Sequence, residues 1–362
     1  MKPALNVLTS VLLISCPCAI ALSAPFAYGM TLRIFGRNRF FLKNDKIIEY
    51  LSKTDTIVFD KTGTLTDTSG SEIFYTGEEL SLDEKVMLKS SVKHSVHPAS
   101  RLIYSSLADI ELIENLGFSE VPGMGIRAGF GVHELKAGRY EWVSGSNPLL
   151  SHEKFQNREV ESRVYISING HIKGYYEIKS KLRNRLGEVF NKLSKIYLIK
   201  VLSGDNDSDK LKLNEILPEH TEMHFNSLPD DKVNFIRDLA ERNQKVVMLG
   251  DGLNDAGALK ASYVGIAVTD DTSNFTPSSD AVLDSDSFAL LPGFLKMSKY
   301  SVLTVFLAYA LSAVYNIVGL GFALSNSLTP VIAAILMPVS SISVVLFVVA
   351  VTNLFGKKLK LV

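Results

Sequence analysis

Asp60 closes the apolar run Ile57-Val58-Phe59 and leads into Lys61-Thr62-Gly63-Thr64-Leu65-Thr66. An acid at the tip of a β-rich run, beside a lysine, hydroxyls and a glycine, has the company a nucleophile needs. Other stretches end in the same way. Ser203-Gly204-Asp205 follows Tyr197–Leu202, and Gly250-Asp251-Gly252 follows Lys245–Leu249. Lys232 and Asp255 lie close to these in the chain. A nucleophilic carboxylate (Asp60), a neutralising ammonium (Lys232), a hydroxyl donor (Ser203) and an acidic metal pair (Asp251, Asp255) are what phosphoryl transfer to an aspartate requires. Mg²⁺ between Asp60 and Asp251 would spread the developing charge. Gly252 would let the backbone bend close to the metal, and Asn254 would orient water or carboxylate.

These groups converge only if the strands that carry them are parallel. Asp55–Phe59, Tyr197–Leu202, Lys245–Leu249 and Tyr263–Val268 are apolar runs without alternation. Helical stretches, Lys181–Leu193, Asp209–Leu217 and Asp231–Gln244, lie between them. That pattern predicts a parallel sheet covered on both faces, with its site past the strand ends. Between about Ser71 and Tyr176 the pattern changes to short β-like runs (Ile73–Tyr75, Ile126–Phe130, Arg163–Ile168, His171–Tyr176), glycines, and a helix around Asp83–Ser95. This reads as an α+β module inserted after the first strand.

Charge is distributed unevenly over the 362 residues. Lys plus Arg number 38 and Asp plus Glu number 38, so no basic surplus points to a nucleic acid. The two cysteines, Cys16 and Cys18, are too close in sequence to staple distant parts together. From Pro3 to Leu32, and again from Tyr300 to Gly356, there is no Asp, Glu, Lys or Arg. A bilayer span takes roughly 20 apolar residues, so the first stretch supports one span. The second supports two, turning at Ser325-Asn326-Ser327-Leu328-Thr329-Pro330. Arg33, Arg37, Arg39 and Lys43, then Lys296 and Lys299, then Lys357, Lys358 and Lys360 flank the spans. The positive-inside rule puts all three clusters, and the body between them, on the cytoplasmic side.

The sequence Asp60-Lys61-Thr62-Gly63-Thr64-Leu65-Thr66 resembles the signature of the P-type ATPases, within the haloacid dehalogenase superfamily. Gly250-Asp251-Gly252-Leu253-Asn254-Asp255 resembles that family's metal-binding hinge, and Pro229-Asp230-Asp231-Lys232 its phosphate-site lysine motif. Ser203-Gly204-Asp205-Asn206 is similar to its Thr-Gly-Asp motif, with Ser keeping the hydroxyl. The resemblance implies catalytic roles for Asp60, Lys61, Thr62, Ser203, Gly204, Asp205 and Lys232, and Mg²⁺ at Asp60, Thr62, Asp251 and Asp255. Phosphatases of the superfamily carry a second Asp two residues after the nucleophile, where this chain has Thr62. Without that resident base, water attacks an acyl phosphate poorly and the intermediate persists. Persistence suits a pump.

The inserted module then resembles a nucleotide-binding domain. Ser95-Val96-His97-Pro98 is similar to the Ser-Glu-His-Pro motif of the heavy-metal class, with Val for Glu. Pro122-Gly123-Met124-Gly125-Ile126 resembles its Gly-x-Gly segment, and Val143-Ser144-Gly145-Ser146 its third nucleotide motif. ATP is therefore expected at His97, Pro98, Gly123, Gly125, Ile126 and Gly145. In the first span, Pro17 cannot donate a backbone hydrogen bond and kinks the helix, which lets Cys16 and Cys18 face one spot. Cys-Pro-Cys resembles the family's metal-translocation signature, and two thiolates select soft ions. Tyr315-Asn316 and Met337 with Ser340-Ser341 match motifs of copper-transporting ATPases. The cargo so implied is Cu(I), with Ag(I) the alternative, at Cys16, Cys18, Tyr315, Asn316, Met337 and Ser341.

The expected fold is an α/β haloacid-dehalogenase-like phosphorylation domain (a Rossmann-type parallel sheet) with an inserted α+β nucleotide-binding domain, plus three transmembrane α-helices. The expected boundaries are 1–32 for the first span, 33–70 and 179–297 for the phosphorylation domain, 71–178 for the inserted domain, 298–356 for the membrane hairpin and 357–362 for a cytoplasmic tail. The resemblance covers the C-terminal half of the family, without its actuator domain or earlier helices, so a fragment or one half of a split protein is expected. Expected partners are the lipid bilayer, ATP, Cu(I), a copper chaperone and a separate chain carrying the other half. The expected location is a bacterial plasma membrane. The competing readings are a membrane-anchored phosphatase of the dehalogenase type and a zinc or cadmium pump fragment.

Overall fold

The computed structural model describes residues 2–362 except 16–17, 96, 115–116, 146–161, 205–209, 220, 253, 271–277 and 326. The chain divides into two units, Met1–Lys53 with Asp286–Val362, and Thr54–Ser285. In chain order it opens with helices α1 (Lys2–Ile14) and α2 (Cys18–Arg37), a short strand β1 (Phe40–Leu42) and α3 (Lys46–Ser52). Strand β2 (Thr56–Asp60) leads through the turn Lys61–Leu65 into β3 (Thr66–Gly77). The inserted module continues with α4 (Leu82–Val92), α5 (Pro98–Ser106), β4 (Gly117–Val121), β5 (Gly125–Phe130), β6 (His133–Gly138), α6 (Tyr140–Ser144), β7 (Ser162–Ile168) and β8 (His171–Leu182). Then come α7 (Leu186–Leu193), β9 (Leu198–Leu202), α8 (Lys210–Ile216), β10 (Glu222–His224), α9 (Pro229–Glu241) and β11 (Val246–Gly250). The chain closes with α10 (Ala256–Ala261), β12 (Val264–Thr269), β13 (Ala281–Asp284), α11 (Leu291–Leu324) and α12 (Pro330–Lys358).

Within Thr54–Ser285 one sheet runs in the order β13-β12-β11-β2-β9-β10, and these pairs are parallel. Every residue of β2 and β11 is buried, as the unalternated apolar runs require of a sheet covered on both faces. Val58, Leu202, Val246 and Met248 pack with Ile236, Leu239, Ala258 and Leu259 from the covering helices. The order places β2 at the centre, with β9 on one side and β11 on the other. The chain reverses direction across the sheet there, which opens a crevice past the strand ends.

The module is an antiparallel sheet in the order β3-β8-β7-β6-β5-β4. Its core joins Ile126, Ala128, Leu135, Ile166 and Tyr176 of the sheet to Leu88, Val92 and Ile103 of the helices. Ser81 and Glu84 cap α4 reciprocally: Ser81 N–H donates to Glu84 Oε2 at 2.8 Å and Glu84 N–H to Ser81 Oγ at 3.3 Å. The helix expected over Lys181–Leu193 begins only at Leu186. Lys181 and Leu182 pair instead with Asp67 and Thr66 of β3. Arg185 is left-handed, with φ 64°, so no helix can form ahead of it.

The other unit holds apolar helices long enough to cross a membrane: Asn6–Arg37, Ser285–Leu324 and Pro330–Lys358. This agrees with the three expected spans, although the second begins ahead of the expected boundary at 298. Ala19, Ala27 and Tyr28 of α2 pack against Val305 and Ala308 of α11 and Val344 and Val348 of α12. Small residues allow this close approach. Thr31 Oγ1 donates to Ser301 Oγ at 2.8 Å inside that interface. Phe35, Phe40 and Phe294 form an aromatic cluster with centroids 4.8–5.2 Å apart.

Candidate functional site

Parallel pairing brings the expected strand-end groups to one place. Asp60 is the last residue of β2, in register with Leu202 of β9, one residue before Ser203. Phe59 pairs with Leu249 of β11, two residues before Asp251. Asp60, Lys61 and Ser203 are buried and Thr62 is half-buried. Lys232, in the first turns of α9, reaches Asp60 Oδ1 at 2.5 Å and Asp255 Oδ1 at 2.7 Å. The α9 start is tied to the Ser203 loop, because Ser227 N–H donates to Ser203 O at 2.9 Å. Asp205 lies outside the described residues.

The turn after Asp60 is shaped by Gly63. Its φ of +76° is left-handed, and a Cβ there would meet Asp251 Cβ at 3.3 Å. Gly63 N–H donates to Thr66 Oγ1 at 2.9 Å. Arg183 braces the turn from outside, donating to Thr64 O at 2.9 Å and to Gly63 O at 3.1 Å. Asn254 orients Asp251 through its backbone N–H to Oδ1 at 3.0 Å and its side-chain amide to Oδ2 at 2.7 Å.

The electrostatics are those of acids crowded around one ammonium. Burial pushes the Asp60 carboxyl well up, Asp255 and Asp251 add to it, and Lys232 offsets only part. Asp255 is raised by burial too, against the pull of Lys232. Burial also works against the Lys232 ammonium, but Asp60 and Asp255 outweigh it and hold its pKa above the ordinary lysine range. Two buried acids thus share one ammonium, a crowding of acids that a divalent cation would relieve. Among the described residues no group of three or more His, Cys, Asp or Glu forms a ready cage. Mg²⁺ takes one or two carboxylates together with phosphate oxygens. Asp60 and the half-buried Asp251 suit such a role. Asp255, also expected there, is already engaged in this structure. Its side chain is fully buried, with Oδ1 on Lys232 and Oδ2 accepting Asp251 N–H at 3.3 Å. Thr64 Oγ1 is buried with no hydrogen-bond partner among the described residues, an opening for a phosphate oxygen.

In the module, His97 is exposed and caps α5, its Nδ1 accepting Ala99 N–H at 3.2 Å, with Pro98 next. Ile126 is buried in the module core, while Gly123 lies in the turn between β4 and β5 and Gly125 opens β5. Gly145 ends α6 in a left-handed conformation with open space around it. The closer neighbour of the glycine segment is one that sequence reading missed. Gly125 pairs with Gly138. A Cβ on Gly138 would lie 2.3 Å from Met124 O, and one on Gly125 2.4 Å from Ala137 O. Arg139 N–H then donates to Met124 O at 2.8 Å. The signal available in the sequence was the glycine in Lys136-Ala137-Gly138-Arg139.

A family profile described as haloacid dehalogenase-like hydrolase matches residues 54–262. The chain belongs to that family. The candidate site sits on its dehalogenase sheet, and the resemblance to heavy-metal P-type ATPases extends well beyond it. A copper-exporting P-type ATPase of Staphylococcus saprophyticus is 27% identical over 357 residues, 95% of this chain and 44% of that protein. One of Staphylococcus aureus (strain MW2) is 28% identical over 352 residues, 95% of this chain and 43% of that protein. The chain thus spans less than half the length of these relatives. Among solved structures, the catalytic domain of the CPx-ATPase CopB-B superposes with TM-score 0.53 at 25% identity, covering 73% of this chain and 98% of that one. A zinc-transporting PIB-type ATPase in its E2.Pi state superposes with TM-score 0.59 at 21% identity, covering 95% of this chain and 57% of that one, and shares the fold.

In this dehalogenase-family chain the residues expected to carry the cargo metal lie on the apolar helices, apart from Cys16, which is outside the described residues. Cys18 begins α2 and is half-buried. Tyr315 is exposed and Asn316 half-buried on α11; Met337 and Ser341 are half-buried on α12. Ser340 and Ser341 donate to Met337 O at 2.8 and 3.2 Å, beside Pro338 within the helix.

Proposed function

We propose that the chain is the phosphorylated, ATP-using portion of a heavy-metal transport ATPase, with Cu(I) as cargo. The observation that carries this reading is Lys232 bridging Asp60 and Asp255 at the switch point of the dehalogenase sheet. An Asp60 carboxylate oxygen attacks the γ-phosphorus of ATP, the bond to the β,γ-bridging oxygen breaks, and ADP leaves with that electron pair. Lys232 neutralises charge at the nucleophile and the transferring group. Ser203 donates to a phosphoryl oxygen. Asp60, Thr62, Asp251 and Asp255 would hold Mg²⁺, which would supply further charge neutralisation. Burial of Asp60 excludes bulk water, and Thr62 provides no general base, so the acyl phosphate outlives its formation. This favours a pump over a phosphatase. The expected result is an acid-stable, hydroxylamine-sensitive phosphoprotein from labelled ATP and Mg²⁺. Steady turnover of p-nitrophenyl phosphate without nucleotide, and no trapped label from ATP, would establish the phosphatase instead.

The membrane part of the proposal places the Thr54–Ser285 unit in the cytoplasm of a bacterial cell, with the basic clusters on the same side. A separate chain and a copper chaperone would complete the pathway. Soft thiolates at Cys16 and Cys18 with the Met337 thioether favour Cu(I) or Ag(I) over Zn(II), and the uncharged spans offer a divalent ion no carboxylate. The reduced chain in detergent is expected to bind Cu(I) stoichiometrically, against excess Zn(II), and to lose that binding in Cys16→Ser/Cys18→Ser. Preferential Zn(II) binding would replace copper with the zinc-type reading.

A further inference from the structure

Arg139 joins the inserted module to the phosphorylation site. It follows β6 and precedes α6, and its backbone is pinned to Met124, between Gly123 and Gly125. Its guanidinium extends the other way. Nη2 donates to Gly204 O at 2.9 Å, across 65 residues of sequence. Gly204 immediately follows Ser203, whose hydroxyl is expected to meet the phosphoryl group. A second approach lies beside it. A Cβ on Gly123 would fall 2.4 Å from Leu228 Cδ2, and Leu228 is the residue that starts the Lys232 helix. The module therefore rests its glycine turn on the lysine helix and its arginine on the serine loop.

We infer that Arg139 is a positioning residue: its hydrogen bond to the Gly204 carbonyl is the latch that seats the nucleotide module over Asp60 while ATP transfers its phosphate. The inference rests on the function proposed above. Arginine suits the task because its planar fork can hold a backbone carbonyl with one N–H and leave others for neighbours. The latch matters only when the phosphoryl donor is carried by the module. A small donor that diffuses to Asp60 by itself does not use it.

The test uses the full chain in detergent with two donors, labelled ATP and labelled acetyl phosphate. Arg139→Gln is expected to slow labelling from ATP by about 10–100-fold, the worth of one charge-assisted hydrogen bond. Labelling from acetyl phosphate is expected to stay near the wild-type rate, and Arg139→Lys to recover part of the ATP rate. ATP labelling unchanged in Arg139→Gln overturns the latch. So does an equal fall with both donors, which would mark a fold defect. A wild-type chain that labels from acetyl phosphate but not from ATP overturns the function reading itself, and the latch falls with it.

Discussion

Asp60→Asn is expected to reduce phosphoprotein formation from ATP to background, a loss on the order of 10³-fold or more, because it removes the nucleophile. The same substitution is expected to leave the fold intact or firmer. Asp60 is 3% exposed and its carboxyl is pushed well up, by burial first and then by Asp255. An acid whose folded pKa is raised holds a proton that the unfolded chain releases. Stability is then greatest below the unfolded value, about 3.9, and falls as pH rises toward the raised folded value. Asn carries no such slope. The gap in melting temperature between Asp60→Asn and wild type is therefore expected to widen in the variant's favour as pH rises from about 4. Calorimetry across that range checks the sign. A variant that labels normally, or that unfolds outright at neutral pH, contradicts the assignment.

Lys232→Met is expected to combine a large loss of activity with a large loss of stability. Lys232 is the ammonium shared by Asp60 and Asp255. Its removal leaves both carboxylates buried without a counter-charge, at a cost of about 3–5 kcal/mol. For a unit of this size that corresponds to a fall in melting temperature of about 10 °C. Labelling from ATP should drop by about 10²–10³-fold, as when an electrostatic contact to the transferring group is lost. The stability loss should shrink as pH falls, because protonation of the raised acids relieves the uncompensated charge. Adding Asp255→Asn should restore much of the stability and none of the activity. A double-variant cycle that shows no coupling would contradict the shared-ammonium geometry.

The clustering of the candidate groups was legible because each sits at the end of an apolar run, and parallel pairing turns those run ends into neighbours. Asp60, Ser203 and Asp251 were placed by that logic alone, and Lys232 by its position at the head of α9. Asp255 was read as a metal ligand, and sequence does not show that in the fold its oxygens also meet Lys232 and the Asp251 amide. Gly138 and Arg139 were missed for a different reason. Their meeting with Gly125 and Met124 is a cross-strand contact of β5 and β6, and a single strand's pattern carries no register. The sequence pointed to Gly145, where a Cβ would meet nothing within 4 Å among the described residues. The late start of α7 has the same origin: Lys181 and Leu182 have helical neighbours in sequence but strand partners in space.

The central claim is that ATP phosphorylates Asp60. Borohydride reduces an aspartyl phosphate to homoserine, so the most direct measurement is mass spectrometry of the peptide containing residue 60 after incubation with ATP and Mg²⁺ and borohydride quenching. Homoserine at position 60, dependent on ATP and absent without it, is the predicted result. Aspartate unchanged at 60, in a folded chain that binds ATP, or phosphate found on another side chain, would contradict the account.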